Sequence, residues 1–543
     1  MAAACGTEDG GQECPFVGFT ARDLQLEEDR APWYLGCSSV VLFPEETPTE
    51  LCLVELDLDL AWSRLLEDRR DDFFPDPLDH RDFRHRLQDQ LARIRFALER
   101  GQYLPREAIP YDVPKAGFFL RPASYLSTRD RVVYQALIDF MAADIDRSLS
   151  PPDIVFSFRL GARDEPSRMF RPPVPRWLQF RSEIRKAYYE EGYQFLINTD
   201  ITGYFESIEH ARLHDLLVTF GVVKDAPAML VTLLSCWSPS GRGLPQGTDP
   251  SSMLGNCYLD PLDKHMLRAD IRFFRYSDDM CIFGRTEAQV RRAQQLLERE
   301  LRALGLLIQT KKTVLFEGDK IRAFVDERQD EIAGIDYAEF AGDITGTLQQ
   351  TKALLDDLLA DDESFDDRHF RKCINTLIKH RDDYAVDAVI ERLDRMPHAA
   401  NRLGEYLRLF AGRPCVQQAI TEFIRDSERN LFEWQEAWLL RALLGANELS
   451  DAGLDWARRR AQDQASSWPL RCTAIQILEQ FGDAADIQML ANNFRATEEP
   501  PVQRARLKAC AGLPTNTRKS ILRRAANVSD ELAATVEYLG GTQ

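Results

Sequence analysis

Two β-type runs, residues 271–276 and 280–283, are separated only by Ser277-Asp278-Asp279. The spacing predicts a hairpin with adjacent carboxylates at its tip. A third strand candidate, 194–198, ends just before Asp200, and a helical period over 251–267 lies between them. Strand runs interleaved with helices and joined by hairpins predict an α+β layer rather than a parallel doubly wound sheet. Asp-Asp pairs also begin at Asp71, Asp356, Asp361, Asp366 and Asp382. The pair at 278 therefore reads, taken alone, as a turn more readily than as a metal site.

At 543 residues the chain is long enough for about three domains with a sizeable core. Hydrophobic residues at 44% and charged residues at 29% exclude collagen-like, disulfide-scaffold and largely disordered chains. No apolar run reaches the roughly 18–20 residues of a membrane span, and the start lacks a basic and apolar signal pattern. The 11 cysteines are scattered without a Cys-x-x-Cys, which predicts reduced thiols and a cytoplasmic protein. The net charge of −19 is uneven: residues 1–70 carry 5 Lys/Arg and 15 Asp/Glu, and residues 81–190 carry 20 and 14. That basic stretch reads as solvated helix faces or as a phosphate-binding surface, since screening limits long-range repulsion to about 10 Å at 0.1 M salt.

Residues 1–70 form an acidic segment with a strand candidate at 40–43. A helix is predicted over 83–98, ended by Gly101, and another over 130–149; prolines between 103 and 122 favour extended segments. Beyond about residue 348 strand signals stop and amphipathic helices dominate. Gly412, Gly445, Gly482 and Gly512 each follow a helical segment as candidate C′ residues, at spacings close to a helix-turn-helix repeat. The expectation is an all-α repeat domain, HEAT-like, over 346–543; a non-repetitive helical bundle is the alternative.

Two-metal phosphoryl transfer needs carboxylates from separate elements converging on ions roughly 3.5–4 Å apart. Asp200 after one strand and Asp278-Asp279 on a hairpin supply that set if the strands are neighbours, and oxygen ligands suit Mg²⁺. Between them Gly243, Pro245 and Gly247 form a close-approach loop before a helix near Ser251, or an ordinary turn.

Taken together these residues resemble reverse transcriptases. Asp200 with Tyr204-Phe205 is similar to their motif A. Leu244-Pro245-Gln246-Gly247 with Ser251 and Asn256 resembles motif B, and Tyr276-Ser277-Asp278-Asp279 the Tyr-x-Asp-Asp box of motif C. Gly305 with Lys311-Lys312-Thr313 resembles motif D. Arg121-Pro122, Asp130-Arg131 and Gln135 match the first fingers motif, and Phe156-Ser157-Phe158-Arg159 the second. The motifs run in the family's order over roughly 110–320.

The resemblance implies a right-hand polymerase over 71–345, with fingers and a palm carrying an antiparallel sheet, followed by the helical repeat or thumb-like region. It implies Mg²⁺ or Mn²⁺ held by Asp200, Asp278, Asp279 and the Ile201 carbonyl. Arg159 would clamp the triphosphate, with Lys115 and Arg121 as further candidates, and Gln246 would contact nucleotide and template. Lys312 would be the motif D lysine near the leaving pyrophosphate, or a surface lysine beside Lys311. Phe205, five residues after Asp200, would stand beside the incoming sugar and exclude a 2′-hydroxyl; the alternative puts Phe205 in the core and Tyr204 at the site. Deoxynucleoside triphosphates, an RNA template and a DNA product would be the partners, with no membrane.

The acidic leader and helical tail look most like bacterial abortive-infection and defence-associated reverse transcriptases. That resemblance implies antiphage cDNA synthesis on a template that in some relatives is a dedicated non-coding RNA, and assembly into homo-oligomers in several. Template-independent, protein-primed synthesis, with Tyr538 as a conceivable priming residue, and RNA-dependent RNA polymerisation are the alternatives.

Overall fold

The computed structural model describes residues 56–541, apart from 163–164, 224, 327–328 and 361–364. The strand candidate at 40–43 and most of the acidic segment lie outside the described residues. The proline-rich stretch folds as a hairpin of β1 (Ile109–Pro114) and β2 (Leu120–Tyr125), with Val113 opposite Arg121. Its tip turns through Gly117 at φ 77°, a left-handed conformation that suits glycine.

The central sheet is antiparallel, in the order β5 (Phe273–Tyr276), β6 (Asp279–Gly284), β3 (Phe195–Thr199), β8 (Val314–Glu317). A separate short pair joins β4 (Ile201–Thr202) to β7 (Leu307–Ile308). One face of the sheet packs on the Glu287–Ala303 helix, whose Val290, Ala293, Leu297 and Leu301 recur at helical spacing and are buried. The Thr128–Ser148 helix, capped by Ser127 accepting from Asp130 N–H, runs through the core with Val132 to Ile138 buried on every side.

Three sequence expectations are corrected. The helix expected over 83–98 is two, Arg81–His85 and Leu87–Glu99, because Arg86 leaves helical geometry at φ −128°, ψ 55°. The all-helical region begins at Asp319, directly after β8, rather than near 350. Gly412, Gly445, Gly482 and Gly512 do not take the left-handed C′ conformation. Gly445 and Gly482 are needed for space instead, since a Cβ would collide with the Arg408 and Leu478 carbonyls.

Beyond residue 366 the helices Asp367–His380, Ala400–Arg408, Glu433–Leu443, Trp468–Phe481, Pro500–Ala509 and Asp530–Gly541 pack in series. Each link adds apolar burial, and the series returns to the front of the molecule. Trp468 is buried against Phe74, Tyr111 and Tyr125, with ring centroids 5.2–5.6 Å apart. Phe74, Val113 and Ala123 thereby share one core with the helical series. Arg504, fully buried, binds both Asp76 and Asp82, and Thr535 Oγ1 donates to Asp82 at 2.6 Å. Tyr538 lies half-buried, its ring against His85. Among the described residues the cysteines are free, and no helix is long and apolar enough to cross a membrane.

Candidate active site

β3 pairs with β6 so that Thr199 faces Met280, which brings Asp200 alongside Asp279 at the end of the sheet. The strands are therefore neighbours, as convergence of the carboxylates requires. β5 and β6 meet through the two-residue tip Ser277-Asp278, with Tyr276 opposite Asp279. Ser277 adopts φ 59°, a costly conformation for a non-glycine residue, and its surroundings enforce it. Its N–H donates to Ser157 Oγ at 2.7 Å, and its carbonyl accepts from Arg275 Nη1 at 2.8 Å. Arg275 is buried in a two-pronged pair with Asp263 and also donates to Asn256 Oδ1 at 2.8 Å. Asn256 Nδ2 in turn donates to the Ser157 carbonyl at 2.8 Å. Asn256 thus braces the carboxylate hairpin from inside.

The Asp200 backbone carbonyl accepts from Gln309 N–H at 2.8 Å, and its side chain accepts from Lys312 Nζ at 2.5 Å. Lys312 is exposed, and its hydrogen bond to Asp200 raises its pKa. Burial and the charges of Asp200 and Asp279 push the Asp278 carboxyl up to about 7. Asp279 is open to solvent on one side yet crowded by protein on the others. Its pKa is raised by that crowding and by Asp200, against the pull of Lys312 and Arg368. Like-charged carboxylates forced together in this way favour a proton or a cation.

A Mg²⁺ or Mn²⁺ site is tested by this donor set. Among the described residues no three His, Cys, Asp or Glu side chains stand preassembled as a metal cluster, and the Lys312 ammonium sits on Asp200. The chemistry nevertheless fits: two all-oxygen side chains close enough to perturb each other, with a third at their side, suit hard cations. Asp200, Asp278 and Asp279 are the residues that would hold such ions; the Ile201 carbonyl has no observation of its own.

Gly203, at φ 53°, starts the short Tyr204–Ser207 helix. Tyr204 is buried with its hydroxyl donating to the Gly255 carbonyl, whereas Phe205 is only half-buried. A Cβ at Gly255 would stand 3.3 Å from both rings, so glycine lets them lie against the Asp249–Arg268 helix. Of the two aromatics, Tyr204 is the core residue.

Glu206 follows them and collects the expected nucleotide ligands. It lies 3.7 Å from Lys115 Nζ and accepts from Gln246 Nε2 at 3.3 Å. Arg121 feels both Glu206 and Asp278; burial lowers its pKa, and its Nε has no hydrogen-bond partner among the described residues. Lys115, Arg121 and Gln246 are therefore brought together beside the carboxylates.

Arg159 does not join them, which corrects its expected role as triphosphate clamp. Its side chain is 6% exposed, and it donates to Asp146 Oδ1 at 2.8 Å and to the Ser150 and Asp146 carbonyls at 2.6 and 2.9 Å. Sequence reasoning missed Glu206, Arg368 and the Arg275–Asp263 pair. Arg275, placed directly after two phenylalanines in the β-type run, was the legible sign of that pair.

Residues 113–337 match the family described as reverse transcriptase (RNA-dependent DNA polymerase). This segment is a reverse transcriptase domain. The protein is accordingly a nucleotidyltransferase of the RNA-directed DNA polymerase class. The chain is also similar to apo telomerase from Candida tropicalis at 10% identity and TM-score 0.32, covering 80% of this chain and 69% of that one. Telomerase from Candida tropicalis in complex with a TWJ fragment of telomeric RNA gives 11%, 0.32, 65% and 64%; the Candida albicans complex gives 10%, 0.30, 61% and 66%. Likenesses this slight carry no argument. No match is found among the curated proteins.

Proposed function

We propose that the chain copies RNA into DNA at Asp200, Asp278 and Asp279 with Mg²⁺, in the service of bacterial antiphage defence. The observation that carries the catalytic reading is the junction of β3 with the β5–β6 hairpin, where burial, joined by the charges of Asp200 and Asp279, pushes the Asp278 carboxyl up to about 7. Divalent ions held there would lower the pKa of an attacking 3′-hydroxyl and offset the charge of the leaving pyrophosphate.

The chain's own side chains do the rest. Lys115 and Arg121, at the base of the β1–β2 tip, receive the triphosphate, and Gln246 orients the nucleotide against the template. Phe205 stands beside the sugar, and Lys312 supplies positive charge next to Asp200. The domain reading of 71–345 for the polymerase and 346–543 for a HEAT-like repeat region is supported by the serial packing of helices after residue 366. The defence role rests on the resemblance of that layout alone.

Three measurements test this. Purified protein with Mg²⁺, a primed RNA and deoxynucleotides yields DNA, and sequencing the nucleic acid that copurifies shows whether a dedicated RNA is bound. Incorporation of ribonucleotides alone contradicts the DNA-synthesis assignment and favours RNA-dependent RNA polymerisation. Unchanged phage plaque counts in cells expressing the chain contradict the defence role.

A further inference from the structure

Residues 500–529 contain seven Lys/Arg and no Asp or Glu, in a chain with 87 acids against 68 bases. Four of the seven are committed inside the fold. Arg504 is held by Asp76 and Asp82, Arg506 by Glu498, Lys508 by Glu479, and Arg518 donates to the Leu539 carbonyl. The other three, Lys519, Arg523 and Arg524, are exposed on the Thr515–Ala525 helix and have no ion pair among the described residues.

The flanking acids do not neutralise them. Glu498 and Glu499 bind Arg471, Glu531 binds Arg106, and Asp530 lies 3.9 Å from Arg129. Glu537 is turned toward Arg86 and Arg93. The helix packs inward through Ile521, Leu522 and Ala525. Its opposite face consists of Lys519 and Arg523 with Asn516 and Ser520 between and before them, and Arg524 at the side. Every side chain on that face can donate a hydrogen bond, and none is an anion. Cations interspersed with short amide and hydroxyl donors are the chemistry of phosphate-backbone contacts, which position a strand without reading its sequence.

We propose that this face grips the sugar-phosphate backbone of the RNA strand outside the catalytic cleft, an inference that rests on the RNA-copying reading above. Three neutralised phosphates on a single strand contribute a salt slope of about −2 and, extrapolated from 1 M, about fifty-fold in affinity at 0.15 M salt.

The test uses the full chain and a labelled 40-nucleotide unstructured RNA, followed by fluorescence anisotropy between 0.05 and 0.4 M salt. Lys519→Gln, Arg523→Gln and Arg524→Gln together should weaken binding by about fifty-fold at 0.15 M and flatten the slope by about two. Extension of a short primed RNA that fills only the cleft should be retained. Unchanged affinity and slope overturn the proposal, as does a loss seen with single-stranded DNA and absent with RNA. Asn516→Asp with Ser520→Asp, which adds repulsion while keeping the three cations, should weaken binding in the same direction; its failure to do so also overturns it. Loss of extension by the unaltered chain would instead refute the polymerase reading and leave the binding result standing.

Discussion

Replacing Arg504 by methionine should undo the attachment of the C-terminal helices to the front of the molecule. The guanidinium donates to Asp76 Oδ2 at 2.5 Å, Asp76 Oδ1 at 3.0 Å, Asp82 Oδ2 at 2.8 Å and Asp82 Oδ1 at 2.7 Å, with Glu531 at 3.6 Å. The side chains of Arg504, Asp76 and Asp82 are 1%, 2% and 3% exposed. Removing one member of so buried a group leaves uncompensated charge and costs about 3–5 kcal/mol. That is on the order of a hundred- to several-thousand-fold in the docking equilibrium.

The pH dependence should change sign as well. In the intact protein burial favours the neutral Asp76, but Arg504 outweighs it and holds the carboxyl well below the usual range. That contribution is complete above the unfolded value near 4 and is lost as the pH falls through the folded value. Without Arg504, desolvation is opposed only by His80 and by the Leu78 and His80 N–H groups that donate to the carboxylate, so the Asp76 pKa rises and the variant should gain stability as the pH falls from about 7 to 5. Limited proteolysis of the last helices, with thermal melts across that pH range, reads both effects. Adding Asp76→Asn and Asp82→Asn should restore most of the loss. An Arg504→Met protein as protease-resistant as the parent at pH 7.5, or a triple variant no better than the single one, would refute the reasoning.

Three further outcomes follow from the cleft. Asp278→Asn, a mimic of the protonated acid, should match the parent near pH 4 in chelator and become more stable as the pH rises to about 7. The ceiling is about 4 kcal/mol, reduced by the group's partial exposure, and a gap independent of pH in thermal melts contradicts it. Glu206→Gln removes the anion that Lys115 pairs with, so the KM for deoxynucleotides should fall by up to about fivefold with kcat little changed; steady-state kinetics showing a raised KM contradict this. Phe205→Ala should admit ribonucleotides, relaxing sugar selectivity by roughly one to two decades in competition assays while retaining deoxynucleotide incorporation.

The carboxylate hairpin was legible because two β-type runs with an intervening Asp-Asp pair specify a local structure. The pairing of β3 with β6 followed only as a condition that the chemistry imposed. What escaped sequence reading was long-range. Arg159 looked like a free cation because its partners Asp146 and Ser150 become neighbours only through the turn between the Thr128–Ser148 helix and the following loop. The fixation of Asp76 and Asp82 by Arg504 spans more than 400 residues. Glycines at 445 and 482 read in the sequence as helix-ending C′ residues, whereas helix crowding is their reason. The break at Arg86 lies inside an apolar pattern that continues at helical spacing on both sides, so periodicity could not show it.

The most direct measurement is single-nucleotide incorporation on a primed RNA template by the purified chain and by its Asp279→Ala variant, with Mg²⁺, at equal folded concentration. The parent chain should add a deoxynucleotide and the variant none detectable, with a thermal midpoint that is not lowered because a repelling carboxylate has been removed. Normal incorporation by Asp279→Ala would contradict the assignment of catalysis to these three carboxylates.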